Sequence, residues 1–420
     1  MKNIKTILLL FFANSISGVA QGISLIAIPW YFAQQQNMQS FGYIYIAVTL
    51  ISLFWVPYGG TLIDKYNRKN IFLWLTVICG ITILSIAAYG YYVGILPTFL
   101  VATVFIVTFL NFNIHYPNLY AFLQEITDQK HYGKITSYVE IQGQTTSMLA
   151  GAFAAMLLEG TTNGHIIIFG FDINLGFDID RWSIHEIFLM DGITYFVSFL
   201  TIMTIRYQPV ERLNKLTEPL LVQMKEGFRY LKKNMPVFIF GLASYSVFVA
   251  VLIEGFYLGV QYVANHLHAD STVYASSTMY YAIGAILAGS FIRKIFGNTP
   301  TPIAVIMLSL LATSIFYILY ISNDDIIFYI MLFLLGLTNA GTRVMRTTFL
   351  FHHISNEFYG RANGILFLSN IIFRIFFLSI FTLSFFQFEN NVIYAFLILS
   401  IFLFISSVLL ILNNKHLKNP

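Results

Sequence analysis

The chain has 420 residues, of which 57% are hydrophobic, 17% aromatic and only 10% charged, with a formal net charge of +4 and a mean hydropathy of +0.73. That balance excludes a water-soluble domain, and the small positive charge is too thinly spread for a nucleic-acid footprint. It contains no Gly-x-x-x-x-Gly-Lys-Ser/Thr loop, Ser/His/Asp arrangement or His-Glu-x-x-His cluster, so no enzyme activity, cofactor or metal is expected.

In chain order, twelve apolar stretches of about 20 residues start near Ile7, Phe41, Ile71, Pro97, Ile135, His185, Pro236, Val273, Pro302, Ile326, Gly360 and Val392. A helix rising ~1.5 Å per residue crosses ~30 Å of hydrocarbon in that length. Helices are required because each unpaired backbone group in lipid costs several kcal/mol. The expected fold is therefore an all-α membrane protein with twelve transmembrane helices in two pseudo-symmetric six-helix halves. The halves are residues 1–206 and 236–420, joined by a linker over 207–235. Of the 23 Lys and Arg residues, 19 fall on one side of this arrangement, Arg343 and Arg346 sit near the same end of span 10, Arg374 lies inside span 11, and only Arg181 is on the other face. The positive-inside rule then places both termini in the cytoplasm. Lys2, Lys5 and the small residues Gly18-Val19-Ala20 imitate a signal peptide, but the apolar run continues through Pro29 and Trp30 and reads as an uncleaved first span. Cys79, the single cysteine, lies within span 3 and supports neither a disulfide nor a thiolate metal site.

Between spans 2 and 3 the chain reads Gly59-Gly60-Thr61-Leu62-Ile63-Asp64-Lys65-Tyr66-Asn67-Arg68-Lys69. This run resembles the loop between the second and third helices of major facilitator superfamily transporters. Gly60, Leu62, Asp64, Lys65, Arg68 and Lys69 fit the pattern, while Asn67 stands where glycine is usual. The resemblance implies that the run is a conformational latch whose aspartate meets the start of span 11, near Gly360 and Arg361. In the linker, Lys225-Glu226-Gly227-Phe228-Arg229-Tyr230-Leu231 resembles the branch holding enterobactin exporters and macrolide efflux pumps. There Leu220, Met224, Phe228 and Leu231 share one helical face, so an amphipathic surface helix is expected over Glu218 to Asn234.

Tyr132-Gly133-Lys134 opens span 5 and Tyr359-Gly360-Arg361 opens span 11, a trace of duplication between the halves. The long outer loop, about Gly160 to Ile184, holds the near-duplicates Gly170-Phe171-Asp172-Ile173 and Gly176-Phe177-Asp178-Ile179, whose alternation suggests a short hairpin. Its acids do not follow the spacing of a calcium loop. His266 and His268, on another outer loop, are expected to be solvated.

Polar stripes at helical spacing mark spans 1, 4, 5, 7, 8, 10 and 11, whereas spans 3, 6, 9 and 12 hold little more than Ser and Thr away from their ends. Polar stripes are costly in lipid, so the first group should line a water-accessible space and every third span should face lipid. The expected substrate-cavity residues are Asn14, Gln21, Asn113, His115, Tyr257, Tyr281, Asn339 and Arg343. Glu254 is the expected proton carrier, with Glu140 second; the alternative for Glu254 is a permanent ion pair with Arg374. The superfamily resemblance implies a monomeric secondary transporter in the bacterial cytoplasmic (inner) membrane, moving a small amphipathic molecule, drug-like or siderophore, outward against protons. Gly151-Ala152-Phe153-Ala154-Ala155 lacks the proline common in exporters, which leaves a proton-coupled importer as the alternative. A non-transporting receptor is a third reading.

Overall fold

The structure is a computed structural model that describes residues 4–128, 131–207, 220–297 and 299–417. The chain divides into two compact units, Met1–Lys215 with Asp270–Met279 and Leu216–Ala269 with Tyr280–Pro420. Of the described helices, eleven are long and apolar enough to cross a bilayer.

The first unit holds α1 (Ile4–Gln34), α2 (Met38–Lys65), α3 (Arg68–Val93), α4 (Thr98–Ile126), α5 (Tyr132–Glu159) and α6 (Ile184–Met203). Helix α5 has the length of a span, 28 residues. It falls outside the eleven because Glu140, Gln142, Gln144, Thr145, Thr146 and Ser147 crowd its middle. Local sequence sets the ends. The Asn67 side chain accepts from the Lys69 and Asn70 amides to start α3, and a Ser183–Glu186 capping box starts α6.

The second unit begins with α7 (Leu220–Lys233) and continues through α8 (Met235–Ile253), α9 (Gly259–Gln261) and most of α10 (Ser271–Ile295). It ends with α11 (Thr301–Ile321), α12 (Asp325–His353), α13 (Asn356–Phe381), α14 (Ser384–Gln387) and α15 (Val392–Asn413). Two π-helical turns, Glu254–Leu258 and Tyr262–His266, flank α9, so that Met235–His266 forms one continuous span.

Each unit packs its helices in the same way. In the first, α3 runs along α6, and α1 lies against α5 and α6; in the second, α11 runs along α15, and α8 lies against α13 and α15. The outward faces of the third-position helices are apolar, with Trp74, Ile78 and Ile81 on α3, Phe196 and Leu200 on α6, and Phe404 and Ile405 on α15 exposed. That agrees with lipid-facing spans, but α6 corrects the expectation that such spans are free of charge. Asp191 sits in its middle, fully buried.

Two further expectations are corrected. The outer hairpin pairs β1 (His165–Ile168) with β2 (Phe171–Asn174), not the two near-duplicate segments with each other. Its turn residues Phe169 and Gly170 both take positive φ, 60° and 74°, the geometry that matches strand twist in a two-residue turn. His266 is not simply solvated, since its Nε2 lies 2.8 Å from the Ser322 carbonyl and its ring packs on Tyr262. In the linker, α7 docks on α13 through Gly227 and Leu231, with Tyr230 stacked on Phe358, while Phe228 remains exposed.

Candidate functional site

In the second unit the polar residues gather around the distorted middle of span 7. Each π-helical turn inserts an extra residue and rotates the face presented by the rest of the helix, a feature concentrated at functional sites. Glu254 opens the first π turn and is only 3% exposed. Its carboxylate folds back over Gly259, where an added Cβ would lie 2.6 Å from Oε1. The glycine is what leaves room for the carboxylate. Among the described residues no hydrogen bond or ion pair holds it, and the salt bridge to Arg374 considered from sequence is not formed. Arg374 itself is buried on α13.

Tyr257, one turn on, is fully buried and receives a hydrogen bond from Gln387 Nε2 at 3.0 Å. On α10 the Tyr281 hydroxyl accepts from Asn339 Nδ2 of α12 at 2.6 Å, with Glu254 and exposed Arg343 within electrostatic reach. Reciprocal glycines bring these helices together. A Cβ on Gly284 would lie 1.9 Å from the Phe333 carbonyl oxygen, and one on Gly336 would lie 2.0 Å from that of Tyr281. Arg346, next along the α12 stripe, is buried with its guanidinium 3.6 Å over the Tyr245 ring and bonded to the Ser244 carbonyl. Two buried amides, Gln261 and Asn370, have neither side-chain oxygen nor nitrogen bonded. Buried polar atoms are seldom left this way without a water or ligand to meet them.

In the first unit one pair of the candidate residues is bonded together. His115 Nε2 lies 2.7 Å from Asn14 Oδ1, and Asn113 Nδ2 donates to Ser52 Oγ at 3.2 Å. Gln21 keeps a buried, unbonded Nε2. Glu140 is half-buried and accepts from the Tyr120 hydroxyl at 2.7 Å, so it is better satisfied than Glu254.

The Gly60–Lys69 run staples this unit internally. Arg68 pairs with buried Glu125 of α4 at 3.0 Å and donates to the Ala121 carbonyl. Lys69 Nζ caps α6, donating to the Met203 and Ile205 carbonyls at 2.9 and 2.7 Å. Lys65 lies over the Tyr66 ring, Leu62 packs in a small cluster with Ile63, and a Cβ added at Gly60 would meet nothing within 4 Å. The Asp64 side chain lies outside the described residues, and Arg361 pairs with Glu226 of α7 in its own unit.

The Major Facilitator Superfamily profile matches residues 10–378. The chain belongs to that superfamily. Among solved structures of the same fold, a mutant of the nucleoside transporter NupG aligns over 97% of this chain and 99% of its own with a TM-score of 0.72 and 14% identity. A D-xylose–proton symporter aligns over 96% and 97% with a TM-score of 0.67 and 12% identity. A bacterial homologue of the iron transporter ferroportin aligns over 97% and 100% with a TM-score of 0.68 and 12% identity. At such identities the likeness is one of fold. No curated protein sequence matches the chain. As a superfamily member the chain is an integral membrane transport protein acting on a small molecule.

The polar stripes of this superfamily chain are legible as periodicity, but three features are not. Asp191 escapes a search for stripes, although an acid inside the apolar run Ile187–Phe199 is itself a signal, since charge in hydrocarbon is rare without a task. The π turns have no sequence signature. The missing partners of Gln261 and Asn370 emerge only from the packing around them.

Proposed function

We propose that this chain is a monomeric, proton-coupled exporter of a small amphipathic molecule, drug-like or siderophore, working by alternating access in a bacterial cytoplasmic membrane with both termini inside. The observation that carries this reading is Glu254: a buried carboxylate with no cation paired to it among the described residues, on a π turn, against a glycine. Holding a charge at the centre of a bilayer costs at least about 2.5 kcal/mol, so a carboxylate with no partner is best accommodated by taking up a proton. A group that gains and loses a proton per cycle is what coupling to a pH gradient requires. Tyr257, Tyr281, Asn339 and Arg343 around it, and Asn14, Gln21, Asn113 and His115 in the first unit, are the proposed substrate-contacting polar groups. Aromatic walls with few polar points suit an amphipathic ligand.

Comparing metabolites in medium and cells, with and without the protein, identifies the substrate and its direction. Glu254→Gln in proteoliposomes should then abolish accumulation driven by a pH gradient but preserve exchange of substrate for substrate. Normal accumulation by the glutamine variant would remove Glu254 from the mechanism. The absence of proline from Gly151–Ala155 favours a second reading, a proton-coupled importer, and depletion of the metabolite from the medium would select it.

A further inference from the structure

Glu254 has a counterpart in the first unit. Asp191 stands in the eighth position of α6 with no exposed surface. Its Oδ2 accepts from Ser24 Oγ of α1 at 2.7 Å, and its Oδ1 is buried with no partner. Among the described residues no cation answers it from any packed element. Helix α6 itself brings Tyr195 one turn on and His185 and Glu186 more than a turn back, where Glu186 is engaged with Ser183. Helix α3 presents the Cys79 thiol, while its Arg68 and Lys69 are committed to Glu125 and to the end of α6. Helix α1 carries Lys5 near its far end, and the His115 ring of α4 is tied to Asn14.

Two further polar groups lie near this carboxylate. The Tyr195 hydroxyl, four residues along the same helix, accepts from Asn111 Nδ2 of α4 at 3.2 Å. Asn111 and Cys79 also border a crevice of about 560 Å³ among α2, α3 and α4, but it is walled mostly by apolar side chains such as Trp74, Leu75 and Ile78 of the lipid-facing α3 surface, so it gives the carboxylate no aqueous outlet. Asn111 Oδ1 is also buried and unbonded.

We propose that Asp191 is a second proton-binding site, carried as a neutral acid inside the first unit and held there by Ser24. An ionised carboxylate with one bare oxygen in this setting lacks the hydrogen bonds and the countercharge that make buried ions tolerable. A proton removes the charge without needing further ligands, whereas a metal cation would need several oxygens where one hydroxyl and one carboxylate converge. The role of Asp191 does not depend on that of Glu254.

Infrared difference spectroscopy of the purified protein in phosphatidylcholine vesicles at neutral pH tests it directly. Asp191→Asn should remove one protonated-carboxyl carbonyl band, and Ser24→Ala should keep that band but shift it to higher wavenumber as the donor is lost. Glu254→Gln would remove a different band, so the two assignments fail or survive separately. Loss of a carboxylate band in Asp191→Asn would overturn the proposal, as would a protonated band indifferent to Ser24→Ala. The serine variant keeps the test available if the asparagine variant does not fold.

Discussion

Replacing Gly336 by alanine tests whether the α10–α12 contact positions Tyr281 and Asn339. The new Cβ would start 2.0 Å from the Tyr281 carbonyl oxygen. Carbon and a carbonyl oxygen approach no closer than about 3.3 Å in ordinary contact, so the helices must part locally by roughly 1.3 Å. Asn339 lies one turn along the same helix, and its 2.6 Å bond to the Tyr281 hydroxyl would stretch to about 3.9 Å, beyond hydrogen-bonding range. Overpacking of this kind costs about 1–3 kcal/mol, and each kcal/mol moves the melting temperature of a unit this size by roughly 2–4 °C. A fall of about 2–12 °C is expected for purified protein in detergent. Gly364 is the control, being helical and exposed with nothing within 4 Å of an added Cβ. Gly364→Ala should stabilise by about 0.5–1 kcal/mol through backbone entropy alone, shifting the melting temperature the other way. If Gly336→Ala melts within about a degree of the native protein, or both variants move together, the close approach does not hold these residues in place.

Other variants separate the remaining roles. Arg68→Ala strands the buried Glu125 carboxylate and should cost about 3 kcal/mol, the lower end for breaking a buried pair because Arg68 is partly exposed; Arg68→Met with Glu125→Gln should recover most of the loss of melting temperature. Gly259→Ala places a methyl 2.6 Å from Glu254 Oε1, so gradient-driven transport in proteoliposomes should fall several-fold while substrate exchange survives. If exchange falls equally, the glycine serves the helix and not the carboxylate. Asp64→Asn should slow transport while leaving substrate affinity within a few-fold, and a large loss of binding by calorimetry would make Asp64 a substrate ligand instead.

Much of the site was readable because its rules are local. Stripes such as Asn14–Gln21 and Asn339–Arg343–Arg346 follow from a 3.6-residue period, and an acid such as Glu254 stands out in any apolar span. Partners were not readable, since they come from distant segments. His115 finds Asn14 across 101 positions and Ser24 finds Asp191 across 167. The hairpin mispairing has the same origin. The repeated Gly-Phe-Asp-Ile segments look alike, but the positive φ of Phe169 and Gly170 turns the chain at once and selects His165–Ile168 as the partner strand.

The sequence by itself determined the membrane class, the helical spans and the superfamily, because hydrocarbon admits only segments that satisfy their own backbone and because the Gly60–Lys69 run is contiguous. Tertiary structure alone decided which polar groups are satisfied and which are not. Glu140 gains a tyrosine hydroxyl, Arg68 gains Glu125, and Glu254 and Asp191 are left without a cation among the described residues. The reason is physical: burial and partnership depend on helix rotation, π turns and glycine contacts, which no one-dimensional period specifies.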